Sequence, residues 1–156
     1  MRFSLVDRID ELEAGKRIRA VKNLSLAEEY LGDHFPGFPV MPGVLMVESL
    51  VQAGAWLMRA TTDFKYSAVL LKEARAIKFN NFVSPGKTLI IECEVSKQAD
   101  DQWTFKGVGT VDGGSAISAK ITLTQFNLAD KNPELAKSDA HRIEKLREQF
   151  ACIWRG

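Results

Sequence analysis

Between Gly43 and Met58 the chain reads GVLMVESLVQAGAWLM, and only Glu48, Ser49 and Gln52 interrupt the apolar run. A helix apolar on nearly every side is one buried on nearly every side. The pattern therefore predicts a central helix about 24 Å long, at a rise of 1.5 Å per residue. Downstream the period changes. YSAVLLKEARAIKF, KTLIIECEV, QWTFKGVGTV and SAISAKITLTQF predict four strands in an antiparallel meander, the last two joined by DGG, a tight-turn signal. Residues 16–24, KRIRAVKNL, predict a strand ahead of the helix, and LVDRIDELEAGK a short strand or turn ended at Gly15. SLAEEYLG sets Ser25 as an N-cap with Glu28 three positions on, a capping-box spacing that predicts one or two helical turns. One apolar helix among strands implies an α+β fold, a curved antiparallel sheet burying its apolar face on the helix. After Phe126 the chain turns polar through NLADKNPELAKSDA. Ile143, Leu146, Phe150, Ile153 and Trp154 then recur at helical spacing. This divides the protein into a domain over 1–126 and an extension over 127–156, a polar linker and an amphipathic helix.

Composition narrows the function classes. The 156 residues suit one domain, and a hydrophobic content of 46% suffices for one core. With 21 basic and 20 acidic side chains the net charge is +1, so no strong field recruits nucleic acid or an anionic membrane. No apolar run reaches the roughly 20 residues of a membrane span, and MRFSLVDRID lacks the apolar core of a signal peptide, so a cytoplasmic protein is expected. Cys93 and Cys152 are far apart and suit reduced thiols. With only His34 and His141 available, a multi-histidine metal site is excluded; no metal and no resident cofactor are expected.

The chemistry gathers in DHFPGFPVMPGVLMVESLVQAG, residues 33–54. Pro36, Pro39 and Pro42 fix their own φ angles and push Phe35, Phe38 and Met41 towards extended conformations, so the loop is stiff before it packs. A stiff loop can hold His34 in one place, as a catalytic base requires; the alternative is a histidine that caps or packs. Glu48 is an acid in an apolar helix, where burial favours the protonated form and makes it a general-acid candidate. Its alternative is a structural glutamate bonded to Gln52, four residues on along the same helix face. Gly43 starts the helix, so its N–H lacks an intrahelical partner and sits at the positive end of the dipole, where an oxyanion can bind. Val44 and Gln52 join it as substrate-positioning candidates. A base, a neutral acid and an oxyanion donor are the parts for β-elimination of water next to a carbonyl. His34 and Glu48 stand fourteen positions apart, and spacing leaves open whether they meet in one chain or across two.

HFPGFPVMPGVLMVESLVQAG closely resembles the signature of the bacterial (3R)-hydroxyacyl-[acyl carrier protein] dehydratases of type II fatty acid synthesis. SLVDRIDEL, RAVKNLS, VSPGK and FKGVGTVDGG resemble further family segments in the family order, over about residues 3–125. The resemblance implies the hot-dog fold, a sheet wrapped round a long helix. It also implies a homodimer, often built into a hexamer as a trimer of dimers. It implies that His34 of one protomer faces Glu48 of the other, that His34 takes the C2 proton, that Glu48 assists loss of the 3-hydroxyl, and that the Gly43 amide polarises the thioester carbonyl. A cis peptide at His34–Phe35 is implied as well. Glutamate at 48 separates this family from its sister dehydratase-isomerases, which carry aspartate there.

Three features depart from the family pattern. Asp33 replaces a common glycine and is expected to accommodate an unusual backbone angle. The segment Val69–Lys72 lacks an aromatic gate, leaving Tyr66 as the nearest substitute. The extension past residue 127 exceeds the family core. The implied partner is acyl carrier protein, an acidic protein bearing its acyl chain on phosphopantetheine, with Arg17, Arg19, Lys22, Arg75 and Lys78 as docking candidates. The competing readings are a hot-dog hydratase or thioesterase acting on acyl-coenzyme A, and a non-catalytic acyl-binding hot-dog subunit.

Overall fold

The computed structural model describes residues 3–156. Strands β1 (Arg8–Glu13) and β2 (Arg17–Asn23) lead to helix α1 (Gly43–Thr61). β3 (Ala68–Phe79), β4 (Thr88–Ala99), β5 (Gln102–Val111) and β6 (Gly114–Phe126) follow, and α2 (Ala136–Ile153) closes the chain. The six strands form one antiparallel sheet in the order β1-β2-β4-β5-β6-β3. This sheet curls round α1, which touches β2, β3, β4, β5 and β6. The fold is the expected α+β hot-dog arrangement.

The burial pattern follows the alternation read from the sequence. In β5, Trp103, Phe105 and Val111 point inward while Lys106 points out. From α1, Leu50, Leu57 and Met58 are fully enclosed against Ile91, Phe105, Ile117 and Leu123. Two glycines permit this close approach: a Cβ on Gly107 would lie 3.0 Å from Leu50 Cδ1, and one on Gly54 would lie 3.1 Å from Leu123 Cδ1. The DGG turn forms as its residues dictate, with Asp112 at φ 52° and Gly113 at φ 81°, the left-handed pair of a tight hairpin.

Two expectations are corrected. Only β4, β5 and β6 form a consecutive meander; β3 lies outside β6, at the border of the sheet. The cause is the segment between β3 and β4, which crosses under the start of α1. There Val83 accepts from the Met41 amide at 2.8 Å, and Gly86 and Lys87 pair with Leu24. The helical turns expected after Ser25 shrink to one 3-10 turn, Glu29–Gly32. Ser25 Oγ accepts from Ala27 N, and Glu28 accepts from Lys22 Nζ at 2.7 Å instead of closing a capping box.

The extension docks on the domain at several points. Ser67 Oγ donates to Asp139, which also accepts the Leu128 and Ala129 amides at 3.0 and 2.8 Å. Phe150 packs against Trp56, Phe64 and Trp154. Past α2, Trp154 bridges Ile9 of β1, and the Arg155 amide donates to the Ile9 carbonyl. No helix among the described residues is long and apolar enough to cross a membrane.

Candidate active site

The proline loop folds back on itself. Phe35 and Phe38 exchange amide and carbonyl at 3.0 and 2.9 Å, and the Val40 amide donates to the His34 carbonyl at 3.0 Å. Gly37 supplies the left-handed turn at φ 76°, and the His34–Phe35 peptide is cis, as the resemblance implied. The His34 ring lies 4.0 Å from the Phe35 ring, and its Nδ1 is 2.8 Å from the Val40 carbonyl. A carbonyl only accepts, so Nδ1 carries the proton of the neutral ring and Nε2 keeps a free lone pair. The loop thus fixes both the place of His34 and its basic nitrogen.

His34 opens on a cleft of about 630 Å³, mostly apolar, lined by Phe35, Val40, Met41, Gly43, Val44 and Met46 with Phe79–Phe82. Pro42 caps α1, and its carbonyl accepts from the Leu45 and Met46 amides. The amides of Gly43 and Val44 have no acceptor among the described residues, so two donors stand free at the positive end of a nineteen-residue helix. Phe79 lies against Gly43, where a Cβ would come within 2.8 Å of its ring. Gly43 therefore leaves the amide approachable as well as free.

Glu48 differs from its sequence-based description. It is half-buried rather than enclosed in the single chain, and it is not among the lining residues of the His34 cleft. Gln52 Nε2 donates to Glu48 Oε1 at 2.9 Å and to the Phe3 carbonyl at 2.7 Å, while Gln52 Oε1 accepts the Leu5 amide at 2.8 Å. Gln52 thereby holds the carboxylate and the N-terminal segment together. The structure brings His34, Gly43 and Val44 to one cleft, and places Glu48 and Gln52 in a second group along α1.

The departures also resolve. Asp33 takes φ −103° and ψ −17°, an ordinary right-handed conformation, so no unusual angle is demanded there. Tyr66 precedes β3, whereas the cleft lies at the other end of that strand, about 36 Å along it. The aromatic lining comes instead from Phe35, Phe79 and Phe82. Of the docking candidates, Lys22 is 4% exposed and paired with Glu28 and Asp7, which withdraws it from any surface. Arg17 and Arg75 are exposed and Arg19 half-buried, and the three are paired with Glu11, Glu73 and Glu92 respectively. Lys106 and Lys120, which sequence reasoning passed over, stand directly opposite each other, with Arg75 next to Lys120. Strand register, visible only in the folded sheet, makes that row of cations.

A sheet rolled round one helix, with a fixed histidine and free helix-start amides at its mouth, defines a hot-dog protein with a histidine-lined cleft. The chain belongs to the FabA-like domain family, whose model matches residues 1–120, and within it stands with the 3-hydroxyacyl-[acyl-carrier-protein] dehydratases. The FabZ dehydratase of Janthinobacterium sp. (strain Marseille) is 39% identical over 132 residues, 83% of this chain and 85% of that one. The FabZ dehydratase of Oenococcus oeni is 41% identical over 117 residues, 75% and 84% of the two chains. Among solved structures, a chain of the dehydratase heterocomplex ApeI:P from Xenorhabdus doucetiae superposes with a TM-score of 0.68 at 16% identity, covering 86% of this chain and 90% of that one. The PaaI protein of the Escherichia coli phenylacetic acid degradation operon gives 0.57 at 11%, over 76% and 78%. Both share the fold.

Proposed function

We propose that the protein dehydrates (3R)-3-hydroxyacyl-[acyl carrier protein] to trans-2-enoyl-[acyl carrier protein] in fatty acid biosynthesis. The observation that carries the reading is the His34 ring, locked through Nδ1 to Val40 beside the two unspent amides of Gly43 and Val44. In this reading the thioester oxygen accepts from those amides, which acidifies the C2 proton, and His34 Nε2 removes it. Glu48 gives a proton to the 3-hydroxyl, which leaves as water, and the electron pair of the C2–H bond becomes the new double bond. Gln52 orients the Glu48 carboxyl. The phosphopantetheine arm belongs to the substrate's carrier, so the step needs no resident cofactor.

Glu48 comes from a second copy in this reading. Support lies in β3, the outer strand, which exposes Leu70, Leu71, Ile77 and Phe79, and in Val44, which is 72% exposed at the cleft. Apolar groups left in water beside an open strand border mark a partner surface. The acidic carrier fits the row of Arg75, Lys120 and Lys106 that crosses β3, β6 and β5, with Lys78 further along β3 towards Phe79 and the cleft. A cytoplasmic setting fits two cysteines that remain unpaired, one buried and one exposed.

Mixed oligomers test activity and site composition together. His34→Ala and Glu48→Gln proteins are each expected to be inactive on 3-hydroxyacyl carrier protein. Refolded as a 1:1 mixture, they should regain about a quarter of the wild-type rate, because half the dimers are mixed and each holds one intact site. No regain would refute the shared site, and an active wild type with active single variants would refute the residue roles.

A further inference from the structure

Helix α2 lies beyond the residues matched by the family model, and it builds a second cleft on the domain. This cleft, about 390 Å³, lies between Gln52, Trp56 and Arg59 of α1 and Arg142, Leu146 and Gln149 of α2. It is separate from the His34 cleft, with which it shares no lining residue. Arg59 is half-buried, stacks on Trp56 at 5.2 Å, and has a buried Nε without an acceptor. Among the described residues no carboxylate lies within 4.0 Å of either guanidinium. Asp139, three residues before Arg142 on α2, is engaged by Ser67, Leu128 and Ala129 and meets Arg142 through charge alone, without an ion-pair contact. Burial, and then the charge of Arg142, push Arg59 down to about 10, so its guanidinium remains cationic at neutral pH. Arg59, half-buried with an unpartnered Nε, carries the cost while the cavity is empty, and an anion seated beside the two guanidiniums lowers it.

We propose that this cleft binds a carboxylate carried on an apolar body. The planar guanidinium forks of Arg59 and Arg142 suit two carboxylate oxygens. Gln149 adds a polar group at the rim, and Trp56 and Leu146 give the apolar part a surface. Gln52 links the cleft to the chemistry, because it lines the cavity while its amide donates to Glu48. Arg59 stands eleven residues beyond Glu48 on α1, about 16 Å along the helix axis. Two sources offer the same chemistry: the far end of an acyl substrate that bears an ω-carboxylate, or a free carboxylic acid acting as an effector.

Calorimetric titration of the full chain with octanoate, methyl octanoate and inorganic phosphate reads the binding without any turnover. Octanoate is expected to bind one per chain and to raise the Tm. Arg142→Gln, an exposed position, should fold normally and weaken octanoate about tenfold or more, the loss of one charge-assisted contact. Equal binding of octanoate and its methyl ester, or an unchanged titration in Arg142→Gln, would overturn the proposal. Phosphate binding as tightly as octanoate would overturn the part given to the apolar body. The source is read from turnover, which rests on the dehydratase reading. If the acid is the substrate's own end, Arg142→Gln lowers kcat/KM for ω-carboxylated 3-hydroxyacyl carrier proteins and spares methyl-ended ones. If it is an effector, added octanoate changes the rate on both, and Arg142→Gln removes that change. Absence of turnover on every substrate counts against the dehydratase reading and leaves the calorimetry to decide this one.

Discussion

Gln52→Ala separates positioning from stability at the site. The side chain makes three hydrogen bonds, to the Leu5 amide at 2.8 Å, the Phe3 carbonyl at 2.7 Å and Glu48 Oε1 at 2.9 Å. At roughly 1 kcal/mol each, with the amide of the buried Leu5 left unpaired, the loss comes to about 2–4 kcal/mol. For a chain of this length that is about 5–15 °C in Tm, read by differential scanning calorimetry. The freed Glu48 loses its orientation, and kcat should fall about ten- to a hundredfold with little change in KM, as for a misplaced rather than a missing group. Gln52→Glu sharpens the test. It keeps an acceptor for Leu5 but sets a second carboxylate against Glu48 and the Phe3 carbonyl. It should lower kcat as strongly as alanine while the Leu5 contact survives. Wild-type kcat in both variants, or a loss confined to KM, would refute the positioning role of Gln52.

Three further outcomes are expected. Gly109→Ala would place a Cβ 2.7 Å from Ile117 Cγ2 and 2.9 Å from Leu89 Cδ1, both fully buried, and should cost about 1–3 kcal/mol in urea denaturation. The atoms nearest a Cβ in Gly43→Ala belong to the exposed Phe79 ring, which can give way, so stability should change by less than about 1 kcal/mol. Crowding at the free amide should nevertheless lower kcat/KM about tenfold or more in steady-state assays. The Ser67 hydroxyl and then the Ala129 and Leu128 amides hold the Asp139 carboxyl below the usual range, against the opposing effect of burial. A folded value below the unfolded one stabilises the docked helix above about pH 4, and that stabilisation is lost as pH falls through the lower folded value. Acid titration followed by tryptophan fluorescence should show α2 leaving Trp56, and Asp139→Asn should flatten that transition.

The strong periodic signals were legible in the sequence. The apolar run of α1, the alternation of β4, β5 and β6 and the DGG turn each follow from local residues, and the structure reproduces them. The prolines of the loop announced its stiffness, but the Nδ1 contact to Val40 depends on the loop closing on itself. The position of β3 was not legible, because strand neighbours are decided by the path of the connection through Val83 and Gly86. Glu48 shows the limit most clearly. Apolar neighbours in sequence suggested enclosure, yet in the single chain its side of α1 is only half-covered, and its local partner is Gln52. The cation row of Lys106, Lys120 and Arg75 likewise exists only in register between strands.

Trp154 and Arg155, at the far end of α2, settle on Ile9 near the start of β1. β1 and β3 are the two borders of the sheet, and each is a place where another chain can add a strand. A subunit with both borders open can be joined on both sides, and such units link into chains without limit. Here the protein's own tail seats on one border at Ile9, while the other border keeps its apolar side chains in view. A strand arriving at that end of β1 would first have to displace Trp154 and Arg155, so the tail acts there as a stopper on edge-to-edge growth.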